Sequence, residues 1–195
     1  MARKTKKHRA ISIISGLLIL SGFTILLVTF LPLGREEVKY AMRNPKEDIK
    51  PVDTDFGIVI PKIGANAHVI ANVDPFDSRA YQMALTRGVA HARGTAVPGA
   101  KGNIFLFAHS SENFYDAMHY NAIFYLINKL ENNDDIILYF HDTAYTYRVT
   151  EKKFVDPKEV RYLQGESLQA TLTLMTCWPP GTNLKRLLIF AQMNK

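Results

Sequence analysis

The stretch at residues 171–186, TLTLMTCWPPGTNLKR, decides how this chain is interpreted, and it contains the only cysteine of the 195-residue sequence. Threonine and leucine alternate up to Cys177, a period-two pattern that is typical of a half-buried strand. The Pro-Pro-Gly at 179–181 then forces a turn, and an apolar run follows Arg186. The pattern predicts two strands in which the thiol at the end of one faces the guanidinium at the start of the next.

Such a pair has two interpretations. A thiolate can attack a carbonyl carbon while a fixed cation stabilises the oxyanion that forms. A lone cysteine is more often an inert buried thiol, however, and an arginine at a strand end is more often simply solvated. The pair alone leaves both interpretations open, so the decision depends on whether a base is also available.

Composition limits the class of protein. The length allows one ordinary domain plus an appendage, and 47% hydrophobic with 22% charged residues is typical of globular proteins. One cysteine excludes an intrachain disulfide and a cysteine-rich zinc cluster. The net charge is +6, but residues 1–34 contain five basic residues and no acid, and subtracting these five from 24 leaves 19 basic against 18 acidic residues. We therefore expect no nucleic-acid partner.

Residues 11–33 carry no charge and are rich in Ile, Leu, Val and Phe. As a helix they would extend about 34 Å, enough for a bilayer core of about 30 Å. The basic residues before them favour a cytoplasmic tail at 1–10 and place the remainder outside the cell. A cleaved signal peptide fits less well, because the apolar run exceeds a usual h-region and no A-x-A-like site follows. We predict a single-pass membrane anchor.

The remainder divides into a charged extracytoplasmic linker at 34–55, which contains two prolines, and a domain at 56–195. Strands are predicted at 56–60, 67–70, 88–91, 103–108, 135–140, 144–149, 171–176 and 186–192. A short helix is predicted at 78–85, capped by Asp77 or Ser78, and helical spacing also runs from 122 toward 131. Many short strands with turn signals indicate a closed or sandwiched β architecture.

A reactive thiol needs a base, and His109 is the best candidate among six histidines. It follows an apolar strand just as the chain turns polar, so its side chain can project into a cleft from a rigid backbone. The other five are not expected to act as the base. His8 lies in the basic tail. His68 and His91 lie within strand-like sequence and are expected to be structural, and His119 and His141 lie in polar loops and are expected to be solvated.

His109, the TLMTC at 173–177 and Arg186 together resemble the sortases, cysteine transpeptidases of bacterial cell surfaces. The GVAHARGT at 88–95 is also similar to the family, and the resemblance spans about residues 56–192. The family usually has glycine before its histidine, where this chain has Ala108. The resemblance implies a mainly β fold, a closed eight-stranded barrel with one or two short helices, preceded by an N-terminal transmembrane helix.

The resemblance also implies roles for individual residues. Cys177 would be the nucleophile that attacks an LPxTG-like sorting motif near the C-terminus of a secreted protein. His109 would protonate the departing amine, and Arg186 would stabilise the oxyanion. Thr176, Ala108 and Ser110 would contact substrate. The acceptor would be an amine on a peptidoglycan peptide or a pilin lysine, and no cofactor is expected.

Two further features resemble features of particular subclasses of the family. The short connection between Cys177 and Arg186 resembles pilin-polymerising and other short-loop sortases. The tripeptide at 74–76, Asp-Pro-Phe, resembles a pilin-sortase lid motif, but it follows the second strand and is interpreted as a turn. Some sortases bind calcium before the cysteine strand. The acids there fit no defined calcium loop, so we predict no required metal: Glu151, Asp156, Glu159 and Glu166.

Two rival functions compete with this interpretation. A thiol L,D-transpeptidase holds its histidine and cysteine in one short motif, whereas His109 and Cys177 lie far apart in this sequence. A non-catalytic, membrane-tethered extracellular β-barrel that binds a partner stays open. A mild alkylating reagent distinguishes it, because only an activated thiol at Cys177 would be modified quickly with loss of activity.

Overall fold

The computed structural model describes residues 2–44, 49–110, 123–163 and 167–194. Within the first 44 residues it describes the side chains of 12–28, 31, 34, 35 and 37–44. His119, Glu166 and the first residue of the helical pattern predicted from 122 therefore lie outside the described residues.

The N-terminal unit is a single helix, α1, at Ala2–Met42. It includes the predicted tail, the predicted membrane segment and the beginning of the predicted linker. In the parts of α1 whose side chains the structure describes, no stretch is both long and apolar enough to cross a membrane. The transmembrane segment at 11–33 is thus not confirmed and stays a prediction.

The second unit is a closed barrel of eight strands in the order β1-β2-β3-β4-β7-β8-β6-β5, which confirms the predicted architecture. The strand bounds are β1 Phe56–Ile60, β2 Ala65–Val73, β3 Val89–Ala92, β4 Gly102–Phe107, β5 Asp135–Phe140, β6 Thr143–Val155, β7 Ala170–Trp178 and β8 Lys185–Met193.

Two strand pairs are parallel, β2 with β3 and β4 with β7, and the other pairs are antiparallel. Parallel neighbours need crossover connections, and the helix α2, Ser78–Leu85, lies in the one between β2 and β3. Because β4 and β7 run in the same direction, both end at one rim of the barrel, and β8 begins there. This topology is what can bring residues 109, 177 and 186 together.

Side-chain alternation separates the barrel interior from its outward face. Along β4, β7 and β8 the inward positions are almost fully buried and aliphatic, as the period of two requires: Ile104, Leu106, Leu172, Leu174, Leu187 and Ile189. The intervening positions of the three strands form one continuous outward face, on which Cys177 and Arg186 lie.

The helix predictions have different outcomes. Asp77 caps α2 as predicted, since its Oδ1 accepts from the backbone N–H groups of Arg79 and Ala80. The helix predicted toward residue 131 is wrong, because the chain forms a turn and then a 3-10 helix at Ile127–Lys129. Phe124 lies three residues before Ile127 and Leu130 lies three residues after it, and all three side chains are fully buried. That spacing matches three residues per turn.

Residues 50–55, the end of the predicted linker, lie against the β1–β2 hairpin. The Asn66 side chain accepts from the Val52 N–H at 3.0 Å and donates to the Lys50 carbonyl at 2.8 Å. Asp53 pairs with His68 at 2.8 Å, and this hydrogen bond lowers the pKa of Asp53. The segment therefore packs as part of the barrel unit.

Candidate active site

The antiparallel pair β7–β8 brings the thiol and the guanidinium together. Cys177 and Arg186 are direct cross-strand partners, and Arg186 Nη1 donates to Cys177 Sγ at 3.3 Å. Both residues are half-buried. A guanidinium N–H directed at sulfur favours the thiolate over the thiol, because the negative charge gains a charge-assisted hydrogen bond.

The parallel pair β4–β7 positions the histidine. Phe107 and Met175 are the last registered partners, and the Ala108 N–H donates to the Met175 carbonyl at 3.2 Å. The Thr176 hydroxyl donates to the Ala108 carbonyl at 2.8 Å. These two bonds fix the backbone immediately before His109, at the end of the strand beside the one that carries the thiol.

His109, Cys177 and Arg186 line one cavity of about 240 Å³, which we call the cysteine cavity. Its floor is the outward face of the three strands, with apolar side chains around the reactive groups. Apolar walls strengthen the electrostatic interactions of the few polar groups between them. Residues of the floor and of the surrounding walls include Phe105, Phe107, Met175, Leu188, Tyr81, Leu85, Val160 and Leu163.

The three predicted substrate contacts have different positions. Thr176 and Ala108 border the cysteine cavity, but both are buried and the Thr176 hydroxyl is bonded to the Ala108 carbonyl. Ser110 is 1% exposed and is not among the residues that line the cavity. Its hydroxyl has no hydrogen-bond partner among the described residues. The structure thus gives Thr176 a backbone contact next to His109 and does not bring Ser110 into the cavity.

Two walls of the cavity were not predicted from the sequence. One is the turn before α2, where Asp74 accepts from the Phe76 N–H at 2.9 Å and the Phe76 side chain is 71% exposed. Pro75 and Phe76 both border the cavity. The turn itself was predicted, and the available signal for its role was a large apolar side chain in an otherwise polar turn.

The second missed wall is the 3-10 helix at Val160–Leu163, in the connection from β6 to β7. Its Tyr162 ring packs on Phe190, with ring centroids 5.7 Å apart. The Tyr162 hydroxyl accepts from Arg161 Nη2 at 3.2 Å, and Arg161 forms an ion pair with Glu159 at 2.9 Å. Tyr162 is therefore held in place at one end of the cysteine cavity.

The contacts of His91 are those of a structural residue, as predicted. Its Nε2 lies 2.9 Å from both the Ala96 carbonyl and the Thr95 hydroxyl, and its Nδ1 accepts from the Asn72 N–H at 3.3 Å. Burial lowers the pKa of His91, so its imidazole is held neutral.

The acids considered for calcium are engaged in other contacts. Glu151 pairs with Lys153 at 3.5 Å, Asp156 accepts from the Lys158 N–H, and Glu159 pairs with Arg161. In the described parts of the chain no three His, Cys, Asp or Glu residues are grouped so that they could hold a metal ion. These residues do not fit a calcium site, and the absence of a required metal stays a prediction.

The chain is similar to known proteins in sequence and in fold. The Sortase domain model matches residues 58–194. The chain is 26% identical over 136 residues to Sortase D of Bacillus subtilis (strain 168), covering 68% of this chain. It is 28% identical over 138 residues to Sortase A of Listeria monocytogenes serovar 1/2a (strain ATCC BAA-679 / EGD-e), covering 71%. The matched regions span 60% and 55% of the lengths of these two relatives.

Solved structures share the fold. Sortase A of Listeria monocytogenes has a TM-score of 0.56 at 27% identity, with 73% of this chain and 89% of that chain covered. The pilus-related Sortase C of Group B Streptococcus has a TM-score of 0.61 at 22% identity, with 88% and 89% covered. With a barrel of this topology and a family model that matches more than half of its length, the chain belongs to the sortase family.

Proposed function

We propose that this chain is a cysteine transpeptidase that cleaves a sorting motif on a secreted protein and transfers the acyl part to an amine. The observation that carries the proposal is the Arg186–Cys177 contact of 3.3 Å in a cavity that His109 also borders. A nucleophile, an acid–base group and a fixed cation are the three parts that covalent acyl transfer needs.

The first half-reaction forms a thioester. The Cys177 thiolate attacks the carbonyl carbon of the scissile amide, and the resulting oxyanion is stabilised by the Arg186 guanidinium. The carbon–nitrogen bond then breaks as the His109 imidazolium gives its proton to the departing amine. The products are a thioacyl enzyme, a free amine and a neutral imidazole.

The second half-reaction restores the enzyme. An incoming amine attacks the thioester carbonyl and loses a proton to the His109 imidazole. The new carbon–nitrogen bond forms as the carbon–sulfur bond breaks, and the thiolate returns to its contact with Arg186. The exchange keeps the energy of the amide bond in the thioester, so no nucleotide is consumed.

The motif proposed is LPxTG-like, on the strength of the family resemblance and of the apolar walls of the cysteine cavity. Phe105 and Phe107 of the floor and Val160 of the 3-10 helix would pack against leucine and proline side chains. The acceptor proposed is an amine of a peptidoglycan peptide or a pilin lysine.

A peptide-library assay with the purified full chain tests the proposal. Mass spectrometry of the products identifies the motif, the scissile bond and the covalent intermediate in one experiment. We expect a peptide acyl group on Cys177 and a shorter amine product. Cleavage without an acyl adduct, or no cleavage across the library, would contradict the proposal.

We also propose that residues 11–33 anchor the protein, with residues 1–10 in the cytoplasm and the barrel outside. The support is the uncharged sequence and the basic residues before it. Because Cys177 is the only cysteine, a membrane-impermeant maleimide applied to intact cells reports topology directly. Labelling of Cys177 is expected, while Thr5→Cys in a Cys177→Ala background should label only after lysis. Labelling of Thr5→Cys in intact cells, with Cys177 labelled only after lysis, would show the opposite orientation in the membrane.

A further inference from the structure

A second cavity lies on the same outward face of β4, β7 and β8, beyond Tyr162. It has a volume of about 590 Å³, and we call it the polar groove. Tyr162 borders both cavities, so the polar groove continues where the cysteine cavity ends. On each strand, successive outward residues line first the cysteine cavity and then the polar groove. The series are Phe105 then Asn103 on β4, Met175 then Thr173 and Thr171 on β7, and Leu188 then Phe190 and Gln192 on β8.

The floor of the polar groove is built from amides and hydroxyls that fix one another. Asn103 Oδ1 accepts from the Thr173 hydroxyl at 3.0 Å and from the Thr171 hydroxyl at 3.2 Å. Because both hydroxyls bind the oxygen, the two N–H groups of the Asn103 amide are left to donate into the groove. Gln192 and Gln169 are hydrogen-bonded to each other beside them.

The rim of the groove supplies further donors. Lys153 lies at its edge with a side chain that is 46% exposed, and its Nζ is 5.9 Å from the centre of the Tyr162 ring. Arg161 also borders the groove and is ion-paired with Glu159. Lys153 is in turn paired with Glu151 at 3.5 Å. The Asn103 amide and the two cations at the rim are donors that suit the carbonyl oxygens of an extended peptide and of polar side chains.

The distance between the two cavities fits an extended polypeptide. Thr173 and Thr171 lie four and six residues before Cys177 on the same strand. At about 3.3 Å per residue this separation is roughly 13–20 Å. A substrate in extended conformation has the same rise per residue, so a residue four to six positions from the reacting carbonyl reaches the groove.

We infer that the polar groove binds the substrate polypeptide four to six positions before the residue whose carbonyl reacts, on the N-terminal side of the sorting motif, and that it prefers polar residues there. This inference rests on the proposed transpeptidase function. The occupant follows from continuity, because a protein substrate bound at Cys177 must extend beyond the cysteine cavity, and the groove begins where that cavity ends.

The N-terminal side is assigned because that part of the substrate stays attached to Cys177 through both half-reactions. The part on the C-terminal side leaves after the first. A surface that holds the acyl part keeps the thioester in place while the second amine enters, whereas a surface that holds the leaving part would slow its release.

Peptide kinetics test this inference. The probes are Leu-Pro-Ala-Thr-Gly, or the motif selected by the library, alone and with a six-residue extension of Ser, Asn and Gln at its N-terminus or at its C-terminus. We expect the N-terminal extension to raise kcat/KM about tenfold, equivalent to about 1.4 kcal/mol. An increase for the C-terminal extension only, or for neither, would overturn the inference.

Two variants connect the effect to the groove. In Asn103→Ala and in Lys153→Ala we expect the ratio of kcat/KM for the extended and short peptides to fall toward one. Lys153 lies half-exposed at the rim, so its variant keeps the test valid if Asn103→Ala fails to fold. Lys101→Ala, an exposed lysine that borders neither cavity, is the matched control and should keep the wild-type ratio. An unchanged ratio in folded Lys153→Ala and Asn103→Ala would overturn the assignment.

A photoreactive residue six positions before the reacting carbonyl gives an independent readout. In the thioacyl enzyme it should cross-link to residues 169–173, and cross-links only to other parts of the barrel would exclude the groove. Failure of the transpeptidase proposal looks different, because then no Cys177-dependent turnover of the short peptide occurs. Turnover of the short peptide with no benefit from either extension removes the groove assignment alone.

Discussion

The cysteine cavity and the polar groove lie on the same outward face of β4, β7 and β8, yet they differ in chemistry. In the cavity, mostly apolar side chains surround one thiol, one imidazole and one guanidinium, and the Glu159 carboxylate, which is paired with Arg161, also borders it. In the groove, hydroxyls and amides bind one another along regular strands. The cavity lies at the rim where β4 and β7 end and β8 begins, and the groove lies toward the opposite ends of these strands.

The difference shows what a strand end contributes to reactivity. At the rim, side chains from separate strands converge while their backbones are still held by the sheet, as the Thr176–Ala108 bond illustrates. There the Arg186 guanidinium donates to the Cys177 sulfur at 3.3 Å. In the groove, Asn103 Oδ1 is bonded to two threonine hydroxyls and Gln192 to Gln169, an arrangement that suits binding.

The largest effect is expected for Cys177→Ala. Removal of the nucleophile should reduce turnover of a sorting peptide by a factor on the order of 10³ or more, because covalent catalysis has no substitute for the thiolate. The half-buried sulfur contributes little to the core, so stability should change by less than about 1 kcal/mol. Peptide cleavage and thermal unfolding measured on one preparation check both outcomes. Wild-type turnover in the variant would end the proposed mechanism.

Arg186→Lys should lower kcat/KM by about 10²-fold, as the loss of one oxyanion donor does elsewhere. An ammonium keeps the charge but cannot reproduce the planar set of donors that contacts both sulfur and an oxyanion. Arg148→Lys is the matched control, since Arg148 is paired with Asp135 on neighbouring strands outside both cavities. Equal rates for the two variants would remove Arg186 from the chemistry.

Thr176→Val tests the contact that fixes the backbone before His109. The substitution keeps the shape but leaves the buried Ala108 carbonyl without its hydroxyl donor, a loss of about 1 kcal/mol in unfolding free energy. We expect kcat to fall about fivefold with KM nearly unchanged, because a misplaced imidazole affects proton transfer more than binding.

Thr143→Val is the control for this substitution. Thr143 is the exposed first residue of β6, and its hydroxyl donates to the His141 carbonyl at 3.5 Å. It should leave kcat unchanged. A rise in KM alone for Thr176→Val would instead support the direct substrate contact that the family resemblance implies.

Much of the fold and the pairing of Cys177 with Arg186 could be predicted from local sequence. The alternation before Cys177 and the Pro-Pro-Gly turn predicted a thiol facing Arg186, and the structure pairs these residues in that register. The number of short strands indicated a closed or sandwiched β architecture, and the family resemblance implied the closed eight-stranded barrel. Asp77 was identified as a helix cap because its side chain can satisfy N–H groups of the first turn.

The features that were missed depend on non-local contacts or on irregular chain. Threonines at 171 and 173 fit the solvent face of a strand, and only the parallel β4–β7 register brings them to Asn103. The cavity walls at Pro75, Phe76 and Val160 have no periodicity to detect. The apolar residues around the 3-10 helix at 127–129 are three positions apart. Both α and 3-10 helices allow this spacing, so the sequence alone does not distinguish the two.

The smallest effect on activity is expected for a change at His91, which borders neither cavity. Burial lowers the pKa of His91 in the folded state, so the unfolded chain binds a proton more readily. The free energy of unfolding should therefore decrease as the pH falls below the ordinary histidine value of about 6.5. His91→Gln removes this titration and should show a smaller loss of stability between about pH 7.5 and pH 5 than the wild type does.

Denaturant unfolding at the two pH values checks this prediction, with the wild type measured in parallel. His91→Gln itself should lose about 1–3 kcal/mol at neutral pH, since it disturbs buried hydrogen bonds to Ala96 and Thr95. If His91→Gln kept the wild-type pH dependence, the acid sensitivity of the barrel would have to originate elsewhere.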